Sequence, residues 1–163
     1  MIRDESSDDI ASIHGLVQRA FTTQPHADGD EQHLVDRLRT RRELTLSLVA
    51  TLPGVGVVGH IAFSPVTIDG ADCGWVQMAP VSVEPDWHRQ GIGSALIRAG
   101  IERLCEQGAR GIGVVGNPAY YERFGFEVVP GLGPDGPEAG YFRALVLQPP
   151  PLTGVLRYAS AFG

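Results

Sequence analysis

The sequence predicts a single mixed α/β domain over residues 1–163, in which helices pack on a largely antiparallel sheet. Apolar residues first recur every three or four positions, change to alternation from Leu44, and return to helical spacing after Pro85. A change of period from about 3.6 residues to about 2 marks a change from helix to strand. With 163 residues, of which 43% are hydrophobic and 20% charged, the chain is long enough to bury one well-filled core.

Two helices are predicted at the start of the chain. The first is capped by Asp8 or Asp9 and runs to about Phe21, with apolar residues at spacings of three and four. The second begins near Asp30 and Glu31 and ends in a basic cluster formed by Arg37, Arg39, Arg41 and Arg42. Basic residues stabilise a helix C-terminus, which explains the cluster more simply than an anion site does.

Three strands are predicted next. Leu44 to Leu52 alternates apolar with polar or small residues, and a turn at Pro53-Gly54 leads into a strand that reaches about Phe63. The third strand covers roughly Cys73 to Val83. Pro80 lies inside it and has no N–H to donate, so we expect a bulge or a sheet edge there.

The second half of the chain is predicted to begin with a helix from Gly91 to Gln107 that packs on the sheet. Its polar residues recur every four positions, at Ser94, Arg98, Glu102 and Glu106. The remaining predicted elements are a strand at Ile112–Val115, a brief helix at Pro118–Phe124, strands at Phe126–Val129 and Phe142–Leu147, and a candidate last strand within Val155–Phe162.

Charge, cysteine content and hydropathy exclude several classes of protein. Thirteen basic and 19 acidic residues give a net charge of -6, which provides no electrostatic footprint for nucleic acid. Cys73 and Cys105 have no metal-ligand spacing and form no disulfide framework, so we expect a reduced, cytoplasmic chain without a metal. The acidic start from Met1 to Asp9 does not resemble a signal peptide. No apolar run approaches the roughly 18 residues of a membrane span.

Three glycine clusters could hold a phosphate group. Gly54–Gly59 and Gly111–Gly116 match the dinucleotide pattern G-x-G-x-x-G, but each coincides with a predicted strand and opens no helix, which disfavours a dinucleotide enzyme. The third cluster, His88–Ser94, lies between a strand and a strongly patterned helix. A helix N-terminus binds anions, and Arg89 adds a cation. Sequence context leaves an anion site and a plain turn equally open.

Two motifs together resemble a known family. The run Val81–Leu96, V-S-V-E-P-D-W-H-R-Q-G-I-G-S-A-L, is followed by Asn117–Phe126, N-P-A-Y-Y-E-R-F-G-F. The pair is similar to the two-part signature of the GCN5-related N-acetyltransferases (GNAT), in particular to a small bacterial subgroup with an A-Y-Y-x-R-F-G-F motif. His88 departs from the Gln or Arg usual in that family. The resemblance implies a twisted, mostly antiparallel central sheet with helices on both faces, splayed where acetyl-CoA enters.

The resemblance also implies an N-acetyltransferase that uses acetyl-CoA as its cosubstrate. The pyrophosphate would lie on the backbone amides of Arg89, Gln90, Gly91, Ile92, Gly93 and Ser94. The pantetheine arm would pair like an extra strand with Val81, Ser82 and Val83. The break at Pro80 favours this because it leaves backbone groups unpaired. Asn117 would contact the pantetheine, cap the following helix, or do both.

The implied chemistry needs an acid for the leaving sulfur and a base for the amine. The family has a tyrosine at the position of Tyr121, whose phenol with a pKa near 10 can protonate the sulfur. Packing on Phe124 and Phe126 is the alternative role. Glu84 is the candidate base beside the cofactor strand, although its side chain could simply face solvent. His60 is equally well explained as a hydrogen-bonded core histidine.

The acceptor implied by the resemblance is a primary amine of a small molecule, a protein or a peptide. Acceptor contacts are expected from the segment between the first two helices, at His26, Asp28, Glu31 and His33, although solvated charge explains each of them more simply. The loop from Pro130 to Gly140 is expected to form another wall. A non-catalytic acyl-CoA-binding sensor or regulatory module is the alternative function. A homodimer is compatible with the resemblance, since many relatives dimerise.

Overall fold

The computed structural model describes residues 1–25 and 27–163. Its helices are α1 (Ile10–Phe21), α2 (Glu31–Thr40), α3 (Ile92–Glu106) and α4 (Pro118–Glu122). Its strands are β1 (Ile2–Asp4), β2 (Leu46–Leu52), β3 (Gly56–Ile68), β4 (Ala71–Val83), β5 (Gly111–Val115), β6 (Leu132–Gly133), β7 (Phe142–Val146) and β8 (Gly154–Arg157). None of the helices in these two ranges combines the length and the apolar character needed to cross a membrane.

The strands form a central sheet in the order β1-β2-β3-β4-β5-β7. Neighbouring strands run antiparallel, except that β4 and β5 are parallel. The short strand β8 pairs with the last residues of β3 along one edge and with β6 along its other edge. The mostly antiparallel sheet predicted from the sequence is therefore confirmed.

Helices cover both faces of this sheet, as the sequence predicted. On one face, Leu96 of α3 belongs to the same buried cluster as Phe63 of β3. A Cβ added at Gly100 would lie 2.5 Å from the Phe63 ring, so this glycine lets α3 approach the sheet closely. On the other face, Val17 of α1 packs in a buried cluster with Val49 of β2.

The predicted break at Pro80 is confirmed as a bulge in β4. Val81 lies opposite Ile61 and Met78 lies opposite Phe63, so β4 has one more residue than β3 between these two pairs. On its other edge, β4 pairs with β5 only from Trp75 to Gln77. The two strands therefore separate beyond Gln77.

Two sequence predictions near the C-terminus need correction. The strand expected over Phe126–Val129 is reduced to an isolated bridge between Glu127 and Ala144. Phe126 and Val129 are buried in the core, so their apolar character reflects packing and not strand pairing. The segment Val155–Phe162 contributes β8 only as far as Arg157 and then forms a 3₁₀ turn at Ser160–Phe162.

Candidate active site

The separation of β4 from β5 opens onto a cavity of about 1080 Å³. We call one side of it the β4 wall, formed by Gln77–Val83, the loop leading to α3, the first turn of α3, and α4. We call a second part of its lining the α1 wall, which is formed by the end of α1, residues 24–25 and 27–28, the start of α2, Glu138, Tyr158 and Phe162.

The β4 wall presents unpaired backbone groups. The Glu84 amide donates to the Val58 carbonyl oxygen at 2.8 Å. Because alternate residues of a strand direct their N–H and C=O groups to opposite edges, those of Val81 and Val83 face away from β3. The β5 ladder ends at Gln77, so no strand of the described residues pairs with them. An extended ligand that contains amides could pair with this edge.

His88 already contacts this edge. Its Nε2 lies 2.9 Å from the Val83 carbonyl oxygen. The departure from the family's usual Gln or Arg therefore has a local role in this chain, because the imidazole holds the start of the loop against the end of β4.

The loop and the first turn of α3 have the backbone geometry expected of an anion-binding site, and we call them the cradle. Arg89 and Gly91 both adopt left-handed backbone conformations, with φ of 63° and 80°, and Gly91 is the N-cap of α3. The first N–H groups of a helix lack partners within the helix, and its dipole favours negative charge there. Among the residues of the predicted cradle, those that line the cavity are Arg89, Gly91, Ile92, Gly93 and Ser94.

Tyr121 of α4 also lines the cavity. Burial, together with the neighbouring Tyr120, raises the pKa of its phenol from 10.0 to about 12, so the hydroxyl keeps its proton at neutral pH. The Tyr121 ring lies edge-on to Tyr120 and Phe126, with centroid distances of 5.1 and 6.1 Å. Packing and access to the cavity therefore coexist in this side chain. Tyr120 lines the cavity as well and packs on Phe124.

Three predicted site residues are not part of the cavity lining: Gln90, Asn117 and Glu84. The Asn117 side chain accepts a hydrogen bond from the Ala119 amide at 3.1 Å and caps α4. The Glu84 carboxylate accepts two hydrogen bonds from the Arg19 guanidinium, at 2.6 and 2.9 Å. This ion pair occupies both carboxylate oxygens, so the geometry gives the predicted base role of Glu84 no support.

The α1 wall contains part of the predicted acceptor segment. Asp28 and Glu31 line the cavity, whereas His33 does not, and His26 lies outside the described residues. The Glu31 carboxylate accepts hydrogen bonds from the Asp28 and Gly29 amides at 2.9 and 3.2 Å, which fixes these two residues at the start of α2.

Glu138, from the predicted wall loop, lines the same side of the cavity. Its carboxylate accepts a hydrogen bond from the Tyr158 hydroxyl at 2.8 Å. Sequence reasoning missed the aromatic residues of this wall, Phe21, Tyr158 and Phe162. No motif marks them, since they come from segments far apart in the chain.

The floor of the β4 wall contains two buried polar side chains, Gln77 and Ser82, which are 5% and 2% exposed. Both line the cavity. Gln77 Oε1 and Ser82 Oγ have no hydrogen-bond partner among the described residues. Buried polar atoms without partners are costly, and both of these belong to residues that border the cavity. Gln77 was missed, although a polar residue within an apolar strand was a usable signal.

His60 behaves as the core histidine that the sequence offered as one explanation. It is fully buried and does not line the cavity. Its Nε2 lies 2.8 Å from Ser47 Oγ, and Ser47 in turn donates to the Glu5 carboxylate. Burial lowers the pKa of the imidazole to about 4, although the Glu5 charge opposes this. The side chain is therefore neutral at pH 7.

Comparison with known proteins supports one family. Residues 45–128, just over half of the chain, match the family model of the acetyltransferase (GNAT) domain. The chain is 40% identical to the Escherichia coli protein described as uncharacterized N-acetyltransferase YhbS. This match extends over 128 residues and covers 78% of this chain and 74% of that protein. It is 35% identical to uncharacterized N-acetyltransferase YjhQ of Escherichia coli, in a match that covers 97% of this chain and 90% of that protein.

Solved structures with the same fold agree. A GNAT family acetyltransferase from Brucella melitensis, in complex with acetyl-CoA, has a TM-score of 0.90 and 41% identity, covering 100% of this chain and 97% of that one. YhbS from Escherichia coli, in complex with CoA, has a TM-score of 0.91 and 34% identity over 99% of this chain and 91% of that one. On this evidence, and with the motifs of β4, α3 and α4 in the expected arrangement, the chain belongs to the GNAT family of N-acetyltransferases.

Proposed function

We propose that this protein transfers an acetyl group from acetyl-CoA to a primary amine by direct attack. The observation that carries the proposal is the continuity of the β4 wall, where an anion cradle, an unpaired strand edge and a protonated tyrosine line one cavity. The acetyl-CoA and CoA complexes of the Brucella melitensis and YhbS relatives support this choice of cosubstrate.

The residues of the β4 wall fit the parts of acetyl-CoA. Arg89 and the amides of Gly91–Ser94 would hold the pyrophosphate, with the Gln90 backbone completing the loop. The N–H and C=O groups of Val81 and the N–H of Val83 would bond the amides of the pantetheine, whereas the Val83 carbonyl oxygen is already within hydrogen-bond distance of His88 Nε2. Ser82 borders the same cavity. Asn117 would act chiefly by capping α4 and so would position Tyr121.

Acetyl-CoA supplies an activated acyl group, which the amine takes up as a C–N bond forms and the C–S bond breaks. Tyr121 holds a proton at its hydroxyl and donates it, or a hydrogen bond, to the departing sulfur. The raised pKa of Tyr121 keeps this proton available over the physiological range. An alkyl ammonium with a pKa of about 10.4 must first lose a proton, and roughly one molecule in a few thousand is free base at neutral pH.

The amine does not lose its proton to Glu84 while the carboxylate of Glu84 is paired with Arg19. Glu84 could act as a base only after release from Arg19, which holds both carboxylate oxygens. Solvent that enters the open cavity can accept the proton instead.

Several finer points belong to the same proposal. Residues 1–163 act as one acetyltransferase domain, in the bacterial cytoplasm, on an amine of a small molecule, a protein or a peptide, with a homodimer as one assembly to test. The alternative of a non-catalytic acyl-CoA-binding sensor or regulatory module is not favoured, because the relatives YhbS and YjhQ are described as N-acetyltransferases.

Calorimetry and a thiol-release assay test this function. We expect the protein to bind CoA and acetyl-CoA, and to release free thiol when a suitable amine from a panel of small amines and amino-terminal peptides is added. Failure to bind either form of CoA at millimolar concentration would overturn the proposal. Binding without turnover on every acceptor would favour the sensor.

A further inference from the structure

Three metal-ligating side chains lie together between α1 and α2, apart from the residues that line the cavity. His14 belongs to α1, whereas His33 and Asp36 belong to α2. The spacing of three residues puts His33 and Asp36 on the same face of α2. One ligand atom from each of the three side chains lies within 4.8 Å of the other two.

Two contacts define the arrangement. His14 Nδ1 lies 2.7 Å from Asp36 Oδ2. The His33 ring stands edge-on to the His14 ring, with a centroid distance of 5.3 Å and an interplanar angle of 68°. A hydrogen bond between His14 and Asp36 accounts for two members of the cluster only. The edge-on contact of the exposed His33 ring brings in the third member.

The scaffold fixes the two helices that carry the three side chains. Ile13 and Val17 of α1 share a buried cluster with Val35 of α2, so residues next to the ligands fix one helix against the other. Ligands carried by packed helices give a more precise site than ligands carried by loops.

The outer contacts of Asp36 suit a metal ligand. Its second oxygen, Oδ1, lies 3.4 Å from Arg39 Nη1, which orients the carboxylate and leaves Oδ2 directed at His14. The Arg39 charge is balanced by Glu5, whose carboxylate accepts two hydrogen bonds from it, at 2.9 and 3.0 Å. The cation of Arg39 is therefore largely neutralised before a metal ion approaches.

We propose that His14, His33 and Asp36 form a binding site for a divalent transition-metal ion such as Zn²⁺. Two imidazoles and one carboxylate are a donor set that Zn²⁺ accepts, with a fourth position left for water. Zinc bonds of about 2.0–2.2 Å in a tetrahedron need ligand atoms roughly 3.3 Å apart. The His14–Asp36 pair must open slightly and the longer separations must shorten, which rotation of these partly exposed side chains supplies.

The site would join the two helices that border the α1 wall. Phe21 at the end of α1 and Glu31 and Leu34 of α2 line the cavity, so a metal ion that links the helices would fix this wall. The ion would take no part in acetyl transfer, and the site does not depend on the proposed function. No local pattern indicates the site, because His14 lies 19 residues before His33 and only the packing of α1 against α2 brings them together.

The test is a titration of the full, chelator-stripped protein with Zn²⁺ by calorimetry, and with Co²⁺ by visible absorption. We expect a 1:1 complex, the intense d–d bands of tetrahedral Co²⁺, and a higher Tm in the presence of Zn²⁺. His33→Gln and Asp36→Asn should each weaken Zn²⁺ binding by about tenfold or more. His88→Gln, which removes a histidine outside the cluster, should leave the affinity unchanged.

Circular dichroism of the metal-free variants separates a lost site from a lost fold, and the exposed position of His33 makes its variant the safer of the two. Zn²⁺ binding that keeps wild-type affinity in both His33→Gln and Asp36→Asn would overturn the proposal. So would the lack of a 1:1 complex in the wild-type protein, or a loss of affinity in His88→Gln equal to that in His33→Gln.

Discussion

The two walls of the cavity are built in different ways. The β4 wall takes most of its lining from a nearly continuous run, Gln77–Ser94, and its polar groups described above are the unpaired edge of β4 and the start of α3. The α1 wall takes its lining from segments as distant as Phe21 and Tyr158, and its polar groups described above are the side chains of Glu31, Glu138 and Tyr158. Recognition through the backbone needs a proline, glycines and a helix start in a fixed order along the chain. It is therefore visible in the sequence as a motif. Recognition through side chains requires only that distant residues meet.

The walls also differ in charge. Among the described residues that line the cavity, the carboxylates Asp28, Glu31 and Glu138 are on the α1 wall, and the guanidinium groups of Arg89 and Arg123 are on the β4 wall. A cavity polarised in this way suits an anionic cosubstrate on one side and a cationic amine on the other.

The largest effect on CoA binding is expected from a substitution in the cradle of the β4 wall. Gly91→Asp adds a carboxylate at a position with φ of 80°, where the phosphates would approach. We expect CoA binding to fall by about a hundredfold or more, because a like charge faces the pyrophosphate and the left-handed backbone is strained. Calorimetry with CoA measures the loss.

Gly54→Asp is the matched control for this variant. Gly54 also has a left-handed φ, 73°, and as at Gly91 an added Cβ meets nothing within 4 Å, but Gly54 lies in the β2–β3 turn outside the cavity lining. Its variant should show similar backbone strain and unchanged CoA affinity. Equal affinity losses in the two variants would mean that strain, and not the phosphate contact, explains the effect at Gly91.

The next largest effect is expected at the chemical step. Tyr121→Phe removes the hydroxyl that we assign to the leaving sulfur, so kcat should fall by about a hundredfold or more, the range typical of a lost general acid. The CoA dissociation constant should change little, since the ring that packs on Phe126 is kept. Steady-state kinetics with calorimetry separates the two quantities.

Tyr120→Phe serves as the control, because Tyr120 also lines the cavity and this substitution likewise removes a phenolic hydroxyl. Its kcat should stay within a few fold of wild type. A Tyr121→Phe enzyme with normal kcat would remove Tyr121 as the acid.

A third effect concerns the buried side of β4, where His60 lies opposite Ser82. The pKa of His60 is lowered from 6.5 to about 4 by burial, so the unfolded chain binds a proton between these values that the folded chain does not. The free energy of unfolding should therefore fall as the pH drops from about 6.5 to about 4, by up to about 3 kcal/mol. Urea denaturation at a series of pH values measures this slope.

His60→Gln should flatten the slope in that range, whatever its effect on stability at pH 7. The groups that act on the imidazole by charge are Glu5 and Arg39. Asp9, whose pKa is lowered to about 2 chiefly by hydrogen bonding with Arg3, affects stability below this range. A slope that persists unchanged in His60→Gln would assign the pH dependence to other groups.

The difference between the walls also explains how far the sequence could predict this protein. The hydrophobic period predicted β4, Pro80 predicted its bulge, and Gly91 predicted the start of α3. Each of these features depends on residues that are near one another in the chain. The extra strand at Phe126–Val129 was wrong because a buried apolar run does not distinguish pairing from packing.

Side-chain partners were beyond local reasoning. The sequence suggested Glu84 as a base, and nothing near it in the chain indicates that Arg19, 65 residues earlier, binds its carboxylate. The bond between Tyr158 and Glu138 likewise depends on where β8 runs in the finished fold. Long-range ion pairs and hydrogen bonds are set by tertiary structure, so they carry no local signal.

The smallest expected effect tests the charge of the α1 wall. Glu138→Gln removes one exposed carboxylate from that wall, and the KM of a cationic acceptor should rise about fivefold, since an exposed ion pair contributes about 1 kcal/mol at most. The kcat and the CoA affinity should hardly change, and the rise in KM should shrink at high salt. Glu106→Gln, on the exposed end of α3 and outside the cavity lining, makes the same charge change elsewhere and should leave KM unaltered. If Glu138→Gln and Glu106→Gln give the same KM, Glu138 does not attract the amine, and any attraction by charge on that wall must come from Asp28 and Glu31.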